Sequence, residues 1–384
     1  MRAERGTGSC ADTIRRDTVG VIAPLQILFQ MSLRLRTRIV ATLLFATAAA
    51  FFCVFLRTPL PWMIGPLLAV SIASIAGAPT ASATGLRNLG QWTIGAALGL
   101  YFTPQVVALV GSVWWAMALA IAWALLAGWL YGRWLERRNL RHMPQLSART
   151  LRATAYFSGA IGGASEMTLL AERVGARTDL VAAAHSLRLM VVTIAVPFAM
   201  QWSGWHGLDI HPSSTRAFDV AGFVLLALAT GAGALAMRAS GRTNPFFIGP
   251  LVVSICLTAA GWTPSAVPQW LSNAAQVVIA VSLGVRFSRE FLQTAPRWML
   301  SVAVGTVVLM LLSAGVAMLL AWATGLHPAV MILGTSPGGI AEMSITAKVL
   351  QLGVPVVTAF QVCRLIAVLL IVGPMYRWLD PPRD

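Results

Sequence analysis

Charge is scarce in this chain, and so are the side chains that carry metal or redox chemistry. Only 11% of the residues are charged, against about 25% in soluble domains, so a soluble globular enzyme is excluded. Lys348 is the sole lysine. Cys10, Cys53, Cys256 and Cys363 occur without a CxxC pair, which excludes a disulfide framework or a zinc ribbon. The five histidines are scattered and form no copper or iron cluster. No Walker-type loop, dinucleotide fingerprint or helix-turn-helix module is found. ATP-driven transport and direct nucleic-acid binding are thereby excluded, and no catalytic residue, metal or cofactor is expected.

What the chain does have is apolar length. Hydrophobic residues make up 57% of it. Ile39–Leu56, Val106–Leu130, Val220–Met237 and Met299–Trp322 are long apolar runs, each near the ~20 residues that cross a ~30 Å hydrocarbon core. A transmembrane barrel would instead show short alternating segments. The fold class is therefore an all-α polytopic membrane protein. The net charge of +15 is nearly all arginine in short loops, which is how cytoplasmic loops are marked. Residues 1–38 are a basic N-terminal segment expected to be disordered, and residues 1–30 also read as an overlong gene start.

A rare pattern occurs twice. Gly162-Gly163-Ala164-Ser165-Glu166-Met167 answers to Gly338-Gly339-Ile340-Ala341-Glu342-Met343. Further anchors follow in the same order. Pro61 through Leu67 matches Pro245 through Leu251, and Gln91 through Gly99 matches Gln276 through Gly284. Arg188 and Arg364 each stand 22 residues after their glutamate. This predicts two structural repeats, over 39–201 and 217–380. Six apolar segments are read in each half: 39–56, 62–77, 89–102, 106–132, 153–171 and 180–200, then 217–238, 246–261, 271–287, 298–324, 328–349 and 354–377.

Basic residues predict opposite orientations. The link after the fourth segment carries Arg133, Arg137, Arg138, Arg141, Arg149 and Arg152 in the first half, and none near Thr324–Pro328 in the second. The link after the third is bare in the first half but holds Arg286, Arg289 and Arg297 in the second. The same link is then cytoplasmic in one half and external in the other, which describes inverted repeats. An inverted pair needs an odd number of crossings per repeat. The fifth segment, broken by glycine, is taken as re-entrant. This predicts about ten crossings, two re-entrant hairpins, Trp202–Arg216 outside, and Arg173, Arg177, Arg238, Arg242, Arg377 and Arg383 inside. A broken crossing helix is the alternative for the fifth segment.

Irregular backbone at membrane depth survives only against protein or a wet cavity. A break leaves N–H groups free at the start of the next half-helix, favouring an anion or oxygen ligand there. The expected substrate or ion site therefore comprises Gly162, Gly163, Ser165, Glu166, Arg188, Ser336, Gly338, Gly339, Glu342 and Arg364. Ser158, Thr168, Thr335 and Ser344 add hydroxyls nearby. Carboxylates within a membrane segment cost about 2.5–3.5 kcal/mol each on insertion scales. Three roles fit them: accepting a coupling proton, ligating Na⁺, or pairing with Arg188 or Arg364 to hold the hairpin. Arg188 and Arg364 themselves either neutralise an anion or snorkel to headgroups. His185 is read as interfacial or as a proton relay. Trp62, Trp92, Trp202, Trp205 and Trp298 are read as interfacial anchors. Pro61, Gly65, Pro66, Pro245, Gly249 and Pro250 are read as close-packing positions.

The doubled glutamate motif, the aromatic-Ile-Gly-Pro motifs and the duplication together resemble the bacterial AbrB membrane-protein family, over about residues 38–380. The resemblance implies the labels its members carry, ammonia monooxygenase or regulator of gene expression. The residues supply no metal ligands for the first and no direct mechanism for the second. The small DNA-binding regulators of the same name look unrelated. By analogy with antiporter folds, the leading expectation is an inner-membrane secondary transporter or exporter of a small solute, coupled to H⁺ or Na⁺. The alternative is a membrane-embedded sensor acting indirectly on gene expression. Expected partners are the lipid bilayer and a small-molecule or ion substrate, with homo-oligomerisation open.

Overall fold

The computed structural model describes residues 34–205, 218–241, 244–287 and 295–379. Residues 1–33 and Arg216, Arg242, Arg289 and Arg383 lie outside the described residues. Among those described, every regular element is helical. The order is α1 (Arg34–Phe55), α2 (Pro61–Ile75), α3 (Thr84–Gly99), α4 (Pro104–Ser112), α5 (Trp114–Asn139), α6 (Ala148–Gly159), α7 (Ala164–Glu172) and α8 (Thr178–Trp202). The second half follows with α9 (Val220–Ala239), α10 (Pro245–Ala259), α11 (Gln269–Gly284), α12 (Pro296–Thr324), α13 (Pro328–Thr335), α14 (Ile340–Leu350) and α15 (Val354–Leu379).

Among the described residues, six helices are long and apolar enough to cross a membrane: α1, α5, α8, α9, α12 and α15. Of these, α1 and α9 are least buried within the protein, and α8 and α15 most. Large apolar side chains such as Phe55, Leu228 and Leu311 face outward, as lipid contact requires. All twelve predicted segments are helical, with three departures. α1 already begins at Arg34, so Arg34, Arg36 and Arg38 lie within it. The stretch 106–132 is not continuous, because the chain breaks at Val113 (φ −102°, ψ 18°). α3 and α4 meet at a bend of 89°.

The helices sort into two bundles. In one, α3 packs on α10, α2 on α11, α3 on α11, and α9 on α10. In the other, α5 packs on α6, α12 and α15, and α8 on α7 and α12. Each bundle draws on both halves of the chain. α14 bridges them through contacts to α3 and α8.

Matching sequence positions carry matching local structure. Leu60 and Asn244, the N-caps of α2 and α10, both adopt the left-handed region (φ 48° and 53°). That conformation is uncommon for a residue with a side chain, and in both cases proline follows at N1. The glycines of the Ile-Gly-Pro motifs allow close helix approach, as expected. A Cβ at Gly65 would lie 2.6 Å from Ala49 O on α1, and one at Gly249 2.5 Å from Gly233 O on α9.

The tryptophans divide. Trp202 is 94% exposed, as an interfacial anchor should be, but Trp298 is fully buried. Trp92 donates its indole N–H to Thr230 Oγ1 at 2.9 Å, tying α3 to α9. Bundle packing takes both rings: the Trp92 N–H finds a partner, as a partly buried indole usually does, whereas the buried Trp298 Nε1 has none among the described residues. Cys53, Cys256 and Cys363 are free thiols.

Candidate functional site

Each predicted break separates two short helices. α6 ends at Gly159 and α7 starts at Ala164; α13 ends at Thr335 and α14 starts at Ile340. At ~1.5 Å per residue, none of the four spans a hydrocarbon core alone. Gly163 and Gly339 are the N-caps of α7 and α14 in extended conformation. Glu166 and Glu342 fall in the first turns that follow, where a negative charge complements the helix dipole. Each carboxylate folds back over its own N-terminus. A Cβ at Gly163 would collide with Glu166 Oε2, and one at Gly339 with Glu342 Oε2. Glycine at these caps is therefore what leaves room for the carboxylate.

The arginines take the opposite helix ends. Arg188 is buried on α8 and donates toward Ser158 O (3.4 Å) and Gly159 O (3.5 Å), at the C-terminus of α6. Its Nη2 donates to His185 Nδ1 at 2.7 Å, and His185 Nε2 donates to Phe157 O at 2.9 Å. Arg364, buried on α15, donates to Ser336 O and to Gly338 O (2.8 Å), and to Gln361 Oε1 (2.6 Å). Gln361 in turn donates to Leu333 O (2.7 Å) and Ser336 O (3.2 Å). At the spacing that separates Glu166 from Glu342, Gln361 corresponds to His185 and Leu333 to Phe157. Each arginine thus closes orphan carbonyls at a half-helix C-terminus, where a cation also suits the dipole.

These arrangements correct several expectations. Neither glutamate pairs with Arg188 or Arg364; the ion pairs among the described residues are Arg133–Glu136, Arg152–Glu136 and Arg177–Asp179. Arg188 and Arg364 do not snorkel, because their guanidiniums turn inward to carbonyls. His185 is 1% exposed rather than interfacial. Thr168 and Thr335 spend their hydroxyls on carbonyls of their own helices, Ala164 O (2.7 Å) and Met331 O (3.0 Å). Ser344 Oγ accepts from Thr358 at 3.0 Å. Ser158 Oγ and Ser336 Oγ are buried without a partner.

Both breaks open on one cavity of about 310 Å³ between the two bundles. Gly162, Gly163, Glu166, Arg188, Gly338, Gly339, Glu342 and Arg364 all line it. Ser336 sits beside it as the C-cap of α13, accepting from Arg364 through its carbonyl. Ser165 is in the first turn of α7, and its side chain lies outside the described residues. The volume is at the small end of ligand pockets, about 300–1,000 Å³.

The opposing bundle adds residues that were not among those expected. Arg87, Asn88 and Gln91 come from α3, Asn244 and Phe246 from the start of α10, Ser282 from the last turn of α11, and Arg286 from two residues beyond its end. Arg87 was missed because the third segment was begun at residue 89, whereas α3 starts at Thr84. A signal was present: Arg87 stands one helical turn before the repeated Gln91, so both share a face.

Known proteins resemble this chain along most of its length. A Bacillus subtilis (strain 168) protein named "Uncharacterized protein YhjN" is 25% identical over 361 residues, covering 87% of this chain and 91% of its own. An Escherichia coli (strain K12) protein named "Putative regulator AbrB" is 24% identical over 335 residues, covering 83% of this chain and 90% of its own. The family profile described as "AbrB: Transition state regulatory protein AbrB" matches residues 62–380. With doubled motifs, paired helix breaks and a match spanning both halves, the chain belongs to the AbrB family.

Proposed function

We propose that the two halves are inverted repeats and that the protein is a secondary transporter of a small solute in a bacterial inner membrane. Both chain ends are then cytoplasmic. The observation that carries this reading is the single cavity on which both glycine breaks open. Secondary transporters bind substrate where two broken helices from inverted repeats meet.

The re-entrant form of the broken segments has its own support. Arg177 N–H, at the entry to α8, donates to Thr154 Oγ1 on α6 at 3.0 Å. In the second half a Cβ at Gly353, at the entry to α15, would lie 3.0 Å from Val330 Cγ2 on α13. These are the same repeat positions. In each half the exit of the broken segment returns beside its entry, as a hairpin does and a crossing helix does not.

Access differs between equivalent residues. Gln91 lines the cavity, whereas its counterpart Gln276 is 3% exposed with Oε1 unpartnered. One side is open and the other closed, and rocking one bundle against the other would exchange them. Glu166 and Glu342 carry no ion-pair partner among the described residues, which suits carboxylates that exchange H⁺ or Na⁺ with the cavity. A second reading, a membrane sensor of a solute, draws on the name of the Escherichia coli relative, a regulator.

Flux in proteoliposomes separates the two. Across a solute panel, the transporter reading expects uptake or efflux that depends on an H⁺ or Na⁺ gradient. Saturable binding with no flux under either gradient would favour the sensor.

A further inference from the structure

We propose that the cavity takes a compact anion bearing carboxylate or phosphate groups, with Arg87 and Arg286 as its specificity-determining residues. This rests on the reading of the cavity as the solute path. Four guanidiniums line it (Arg87, Arg188, Arg286 and Arg364) against two carboxylates, Glu166 and Glu342. Glu342 attracts both Arg87 and Arg286 without forming an ion pair with either, so it offsets only part of their charge, and the four guanidiniums still outnumber the two carboxylates.

Arg188 and Arg364 are held by carbonyls through their terminal nitrogens, yet each keeps a buried Nε–H without a partner. Arg87 and Arg286 have no side-chain hydrogen bond or ion pair among the described residues. Elsewhere the arginines near acids are engaged, as Arg133 and Arg152 are with Glu136. Two open guanidiniums in one cavity repel each other, and a bound anion converts that repulsion into charge-assisted hydrogen bonds. The duplicated fold does not require them. Counting from the Gln91 and Gln276 anchors, Ser272 stands where Arg87 does, and Tyr101 where Arg286 does. Arg87 and Arg286 therefore stand on the open side alone, while at the counterpart position Lys348 Nζ is engaged, donating to Ser272 Oγ at 3.3 Å.

The test is equilibrium binding and thermal shift on purified full-length protein at constant ionic strength. The probes are succinate, citrate, inorganic phosphate and sulfate, with ethanolamine, choline and glucose as controls. At least one of the four anions is expected to bind and raise the melting temperature, and none of the controls. Arg87→Gln and Arg286→Gln should each weaken that binding about tenfold or more, the lysine variants less, and the exposed Arg149→Gln not at all. If Arg87→Gln does not fold, Asn244→Asp adds a negative charge to the same wall and should weaken binding likewise. Binding of no anion, preference for a control solute, or wild-type affinity in both glutamine variants would overturn the proposal. Anion binding without flux would leave this site standing and reject transport.

Discussion

Arg364→Met is expected to lower stability by about 3–5 kcal/mol, and Arg188→Met by a comparable amount. The reason is the groups left behind. Arg364 serves the carbonyls of Ser336 and Gly338 and the Gln361 amide oxygen, all inside the protein. Removing the guanidinium strands acceptors at a helix end, each costing about 1–3 kcal/mol when buried and unpaired. Domains are stable by only about 5–15 kcal/mol, so the melting temperature in detergent and the yield in membranes should both fall clearly. Arg364→Lys should not restore them, since one ammonium cannot copy a fork that reaches two carbonyls and an amide. Variants that melt with the wild type would show that the arginines do not hold the breaks together.

Glu166→Gln and Glu342→Gln are expected to act in the opposite way, abolishing gradient-coupled flux while leaving expression and melting temperature nearly unchanged. Glutamine keeps the shape and can still accept a hydrogen bond, but it neither exchanges a proton nor ligates a cation with full charge. Gly163→Ala and Gly339→Ala should reproduce the loss, because the added methyl takes the space of the carboxylate oxygen. Flux of the solute found in the panel, measured with and without the gradient, reads the effect. Wild-type coupled flux in both glutamine variants would reduce the glutamates to helix caps.

The two sets of charges thus divide their labour in a way the sequence displays only in part. Glycine pairs, glutamates and their fixed interval to Arg188 and Arg364 are visible because the chain carries the pattern twice, and the cavity joins the residues so chosen. Arginine partners were not visible. A carboxylate and a guanidinium in one apolar stretch suggest an ion pair, but each instead met the nearer helix dipole and its unsatisfied backbone. Arg87 escaped notice because a hydropathy boundary falls at the first apolar residue, whereas the helix begins a turn earlier. Trp298 and the break at Val113 depend on which neighbour a helix meets, which no single segment encodes.

The central claim is that the halves lie in opposite senses in the bilayer, so that their breaks meet from opposite faces. Cysteine labelling tests it most directly. Arg138→Cys, at the end of α5 and past the fourth segment of the first half, and Ala323→Cys, in the last turn of α12 at the end of the fourth segment of the second half, occupy exposed positions. With the native cysteines replaced, a membrane-impermeant thiol reagent should label position 138 only in inside-out vesicles and position 323 only in right-side-out ones. Labelling of both from one face would contradict the account.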